Sequence, residues 1–139
     1  MSYTHTIRVR YAECDQQGVA FHGHWLAFFD DACTHFFTSL GFDPKELFTS
    51  PGGFDMMVVG AELSWHGPAG FDDVVAIEVA TARIGTSSFA LRYQASVDGR
   101  PVCEGTVTYV SIAHGEKRSR PIPDEVRAAL SSALVPADV

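Results

Sequence analysis

Residues 25–40 carry a wide apolar stripe at helical spacing. Trp25, Leu26, Phe28, Phe29, Ala32, Cys33, Phe36, Phe37 and Leu40 form it, while Asp30, Asp31, Thr34, His35, Thr38 and Ser39 take the other side. Gly41 is a stop signal just past Leu40. A helix this apolar must be buried along most of its length, so the rest of the chain has to wrap it. Just ahead of it, residues 11–24 hold a strand end, a polar turn containing Asp15, Gly18 and the helix entry.

The wrapping material is legible as strands. Residues 4–11 alternate, with Ile7, Val9 and Tyr11 facing one way and Arg8 and Arg10 the other, which predicts a half-buried strand. Residues 42–57 contain Asp43-Pro44 and Pro51-Gly52-Gly53 and read as a loop with one short helical turn near 45–48. Its apolar members Phe42, Leu47, Phe48, Phe54, Met56 and Met57 predict that it lies against the body. Four strands then follow closely, at about 58–66, 73–84, 87–97 and 101–113. Asp98-Gly99 is a strong hairpin signal, and the short connections make neighbours antiparallel. After a charged loop, Pro121 and Pro123 introduce a last helix over about 124–134. The expected fold is a single α+β domain over residues 1–139: a five-stranded antiparallel sheet on one long central helix, with a short C-terminal helix. Five strands around one helix leave sheet edges exposed, and pairing with a second copy would cover one, so a homo-oligomer is expected.

Composition narrows the function. The formal charge of −7 disfavours a nucleic-acid partner. No stretch approaches a membrane span, and the first residues have neither a basic nor an apolar signal region. Three cysteines, Cys14, Cys33 and Cys103, are an odd number without a Cys-x-x-Cys pair. They fit a reducing cytoplasm, with no disulfide framework and no zinc motif.

Two elements carry chemistry. Asp15 is either a turn or capping aspartate or a carboxylate at the mouth of an apolar groove, able to attack a carbonyl or activate water. The helix entry at 22–24 offers free N–H groups that would polarise a carbonyl and hold developing oxyanion charge. Gly18 and Gly23 allow close approach to the backbone. Together they make a candidate acyl-transfer site. His22 either assists Asp15 or the substrate, or caps and packs. His22 and His24 stand two apart, which does not bring them to one helix face, so no metal site is expected. Cys14 lacks a basic partner and reads as a strand-end residue. Ser87 and Ser88 have no nucleophile-elbow context. Lys117, Arg118 and Arg120 form the basic cluster, ordinarily a solvated face but also a place to hold a phosphorylated ligand.

Val9-x-Tyr11-x-Glu13-Cys14-Asp15-x-x-Gly18-Val19-x-Phe21-His22, followed by Trp25, Phe29-Asp30 and Ala32, resembles the opening signature of the 4-hydroxybenzoyl-CoA thioesterase family of hotdog-fold proteins. Leu63-x-Trp65-x-x-Pro68-Ala69, Asp72-Asp73, Gly85-Thr86-Ser87-Ser88-Phe89 and the arginine-rich loop before Pro121-Ile122-Pro123 extend the likeness over residues 5–125. The resemblance implies a hotdog fold, dimers with a continuous sheet that often pair into tetramers, and hydrolysis of an acyl-CoA thioester without metal or organic cofactor. It puts the catalytic carboxylate on Asp15, with a helping histidine at His22. The chain departs from the family at two places: the founding aromatic-CoA enzyme has tyrosine at the position of His22, and many relatives have arginine at that of Cys33. Bottom-up reading and resemblance converge on a thioester carbonyl near Gly23 and His24, an acyl group near Phe21, Trp25, Phe28 and Phe29 (some of these being core), and CoA phosphates near Arg118 or Arg120. The competing readings are an acyl-carrier-protein thioesterase, hydratase chemistry on the same fold, and a non-catalytic acyl-CoA-binding protein.

Overall fold

A computed structural model describes residues 2–135. Five strands form one antiparallel sheet in the order β1-β3-β4-β5-β2: β1 is Tyr3–Arg8, β2 Phe54–Trp65, β3 Val74–Ile84, β4 Ser88–Val97 and β5 Arg100–Ala113. Three helices accompany them, α1 (Trp25–Ser39), the short α2 (Pro44–Leu47) and α3 (Asp124–Ser132). This is the expected hotdog arrangement, with α1 seated on the inner face of the sheet. No helix is long and apolar enough to cross a membrane among the described residues.

The stripe of α1 explains the core. Trp25, Phe28, Phe29, Ala32, Cys33, Phe36 and Phe37 are buried, whereas Leu26 on its margin is exposed. Phe29 stacks on Tyr93 of β4, with centroids 4.6 Å apart and planes 8° from parallel. Phe37 meets Phe48 and Phe54, which pin the 42–53 connection onto the body as its composition predicted. The helix stops at Gly41, at φ +98°. In the middle of this core Tyr93 and Tyr109 share a 2.6 Å hydrogen bond between hydroxyls. Burial pushes the adjoining Cys33 thiol up to about 12, against the hydrogen bonds of the two tyrosines, which favour the thiolate. Cys33 is therefore a packing residue and not a nucleophile.

Three boundaries differ from the sequence expectation. β1 ends at Arg8, and Tyr11 turns outward, 81% exposed, within a 3-10 turn over Tyr11–Glu13. The cause is local: Arg10 N–H donates to Glu13 Oε1 at 2.8 Å, and Glu13 N–H donates to the Arg10 carbonyl at 3.0 Å, bending the chain off the strand path. β2 starts at Phe54, four residues early, because Phe54 is buried in the core and pairs with Ala113. α3 ends at Ser132, after which Leu134 bridges to Thr81, so the chain end covers β3 beyond the reach of β1. Asp98-Gly99 forms the expected hairpin, with both φ values positive.

Candidate active site

Asp15 lies at the bend of a small hairpin between β1 and the helix entry. Cys14 and Ala20 pair across it. Asp15 N–H donates to the Val19 carbonyl at 2.9 Å, and Gly18 N–H donates back to the Asp15 carbonyl at 3.0 Å. The turn needs φ +77° at Gly18, a conformation that strains any side chain. Gln17 N–H donates to Asp15 Oδ1 at 2.8 Å, the Asx turn expected of an aspartate here. Only one oxygen is used in this way; among the described residues no protein group donates to Oδ2. The side chain is half-buried and so keeps access to a ligand.

The hairpin is strapped on two sides. Ala20 N–H donates to the Ala69 carbonyl at 2.8 Å and Phe71 N–H to the Gly18 carbonyl at 3.2 Å, tying it to the approach to β3. Phe21 N–H donates to the Glu13 carbonyl at 2.8 Å, delivering the chain to the helix. A 3-10 turn over His22–His24 runs directly into α1. Its first hydrogen bond is from His24 N–H to the Phe21 carbonyl, 2.9 Å. The N–H groups of His22 and Gly23 precede it and take no backbone partner outside the helix among the described residues. The Phe21 ring lies over Gly23, where a Cβ would come within 2.8 Å of it. Gly23 therefore permits a packing that any larger residue would break.

His22 is exposed. Its ring sits beside Phe21 (4.3 Å between centroids) and edge-on to Trp65 (6.5 Å). No hydrogen bond joins it to Asp15 among the described residues. His24 borders Phe21 and Phe28. Trp25, expected near the substrate, is 2% exposed and packs on Phe28 and Phe29, so in this chain it is core. Phe21 remains open to solvent. Arg118 is exposed on the loop after β5, where the bridge from Ile112 to Ser119 anchors it. That loop lies by the Phe54 end of β2, while His22 touches the Trp65 end.

Two neighbours were not anticipated. In the sequence Trp65 is part of the Leu63-x-Trp65-x-x-Pro68-Ala69 motif and not a candidate site residue, and its meeting with His22 depends on strand order, which local patterning does not encode. Glu13 was legible as an i, i+3 partner of Arg10 but was not singled out. Burial alone would raise its carboxyl. The hydrogen bonds and charge of Arg10, with the charge of His24, more than offset this and hold it below its ordinary value. Glu13 thereby fixes the root of the Asp15 hairpin.

The family model described as the thioesterase-like superfamily matches residues 9–130. A 1,4-dihydroxy-2-naphthoyl-CoA hydrolase from Synechococcus sp. is 25% identical over 129 residues, covering 91% of this chain and 98% of the relative. A solved gentisyl-coenzyme A thioesterase is 28% identical with a TM-score of 0.84, covering 92% of this chain and 99% of that one. A 4-hydroxybenzoyl CoA thioesterase mutant, solved with 4-hydroxybenzoyl CoA, shares the fold at TM-score 0.82 and 21% identity, covering 93% and 98%. With its helix on a five-stranded antiparallel sheet and the match running from Val9 to the last turns of α3, the chain belongs to the thioesterase-like superfamily of hotdog proteins.

Proposed function

We propose that this protein hydrolyses acyl-CoA thioesters, with Asp15 as nucleophile or general base and the start of the central helix polarising the carbonyl. Family membership makes it a thioester hydrolase, and relatives named as CoA hydrolases and thioesterases support CoA as the leaving group. The observation that supports the catalytic assignment is the tie between Glu13 and Phe21, which joins the hairpin bearing Asp15, with its undonated oxygen, to the helix entry with its unpartnered N–H groups. In one route Asp15 takes a proton from water as the water oxygen attacks the thioester carbon, and the tetrahedral intermediate collapses to the acid with cleavage of the C–S bond and departure of the CoA thiolate, which takes up a proton. In the other, Asp15 attacks, expels the CoA thiolate and leaves a mixed anhydride that water then cleaves. In both, negative charge develops on the carbonyl oxygen, where the N–H groups of His22 and Gly23 would bind it, that of His24 being taken by the Phe21 carbonyl. Neither route calls on a metal or an organic cofactor. Phe21 is the proposed acyl-side wall and His22 a polar neighbour of the substrate.

The site is proposed to need a second copy of the chain. Arg118, the proposed phosphate contact, and His22 lie at opposite ends of a twelve-residue strand. At ~3.3 Å per residue these ends are roughly 35 Å apart along it, too far for one active site to use both. Antiparallel pairing of β2 with its copy would bring the partner's loop to this chain's Trp65 end. Further pairing into a dimer of dimers follows the family expectation. The three free thiols suit a reducing cytoplasm.

Thiol release from aromatic, short-chain and long-chain acyl-CoAs, with acyl-carrier-protein thioesters alongside, tests the proposal. Wild type should turn over one CoA class, and Asp15→Asn should lose about 10²–10⁴-fold while still binding acyl-CoA. Full activity in Asp15→Asn would remove Asp15 from the mechanism. Turnover confined to carrier-protein thioesters would replace CoA as the leaving group.

A further inference from the structure

We propose that His5, Asp31 and His35 form a binding site for a divalent transition-metal ion such as Zn²⁺ or Ni²⁺, on the flank of the β1–α1 contact and sharing no residue with the Asp15 hairpin. Three observations converge on it. First, two elements supply the donors. Asp31 and His35 stand four apart on α1, the spacing that puts them on one helix face, and His5 projects toward them from β1. One donor atom from each residue falls within 4.8 Å of the others. Second, the carboxylate turns one oxygen toward each imidazole. His5 Nε2 is 2.8 Å from Asp31 Oδ2, and His35 Nδ1 is 3.6 Å from Asp31 Oδ1. Third, the two rings stack at 4.2 Å, 16° from parallel, and the ring of Tyr3 stacks behind His5. His5 is thus held on its far side and largely buried, while His35 is half-exposed and free to adjust.

The donor set is two neutral imidazoles and one carboxylate, a combination that suits Zn²⁺, Ni²⁺, Co²⁺ or Cu²⁺ and is too nitrogen-rich for Mg²⁺ or Ca²⁺. With metal–ligand bonds of about 2.0–2.2 Å, tetrahedral donors lie roughly 3.3 Å apart. The His5–Asp31 pair is already near that separation. Parallel rings cannot aim two lone pairs at one ion, so His35 must turn. It gives up the hydrogen bond of its Nδ1 to the Asp31 carbonyl, 2.9 Å, and gains a coordinate bond. Three protein ligands leave a position for water. Because β1 is an edge strand, an ion here would staple it to the central helix.

Metal-stripped protein is titrated calorimetrically with ZnCl₂ and NiCl₂, beside His35→Ala, Asp31→Asn and, as a control on the opposite face, His66→Ala. The proposal expects one ion per chain, a Zn²⁺-dependent rise in Tm, and binding weakened about 10-fold or more in His35→Ala and Asp31→Asn but not in His66→Ala. Ni²⁺ should broaden the imidazole resonances of His5 and His35 ahead of those of His22, His24, His66 and His114. The exposed position of His35 makes its alanine variant safe for folding, which a two-state melt without metal checks. No binding, unchanged affinity in His35→Ala, or broadening centred on other histidines would overturn the proposal.

Discussion

The two edges of the sheet are built in opposite ways. β1 is six residues long and turns Thr4, Thr6 and Arg8 to solvent. Its inner residues rest on α1, and Leu134, beyond α3, takes over the edge of β3 at Thr81, just past the pairing of Tyr3 with Val79 where β1 begins. β2 is twice as long, and its exposure does not alternate: Met57, Val58 and Val59 are open in succession, and Trp65 opens at the far end. A bulge at Val58–Gly60 interrupts its register with β5. Brevity and charge close one edge, whereas length and apolar surface leave the other ready to pair. An edge that exposes valines on consecutive residues lacks cover on its inner face as well as a neighbour along its side, and a second β2 with its own helix would supply both.

Breaking the open edge should have the largest effect. If β2 pairs with its copy as proposed, Val58→Lys with Val59→Lys is expected to weaken that self-association by roughly three to four orders of magnitude, since each valine is lost twice in a two-fold interface at ~1.5 kcal/mol or less. Analytical ultracentrifugation reads this, and activity should fall with the oligomer. Thr4→Lys with Thr6→Lys at the closed edge should leave both unchanged. Equal behaviour of the two pairs would erase the distinction between the edges.

The core beneath both edges comes next. Phe29→Ala removes the ring stacked on Tyr93 and should cost about 3–5 kcal/mol in urea unfolding, while Leu26→Ala on the exposed margin of the same helix should cost under about 1 kcal/mol. The smallest effect is at the end of β1. Glu13 is held below its ordinary pKa, so its contribution is fully present above the unfolded-state value of about 4.3 and is lost as pH falls through the lower folded value. Glu13→Gln should therefore be less stable than wild type at neutral pH, by less than about 1 kcal/mol. The gap should close as pH drops below about 4, which acid-range melts would show.

Local pattern alone determined much of this protein. The stripe from Trp25 to Phe37 dictated a buried helix because burying those rings is the largest favourable term available to the chain. Alternation and turn residues marked five strands and the Asp98-Gly99 hairpin, since side-chain period and positive φ are properties of neighbouring residues. The Asp15–Gly18 turn was legible for the same reason. Tertiary structure decided the rest. Nothing within residues 4–11 says that Tyr11 leaves the strand, because the bend depends on the side chain of Glu13 competing for a main-chain donor. Phe54 reads as loop until Ala113, far along the chain, offers it a partner. Strand order sets β2 at an edge and Trp65 beside His22, sends Trp25 into the core while Phe21 stays open, and separates Arg118 from the Asp15 hairpin. Those are outcomes of long-range pairing, whose free energy depends on what the other strand brings and is therefore not written in any single stretch of sequence.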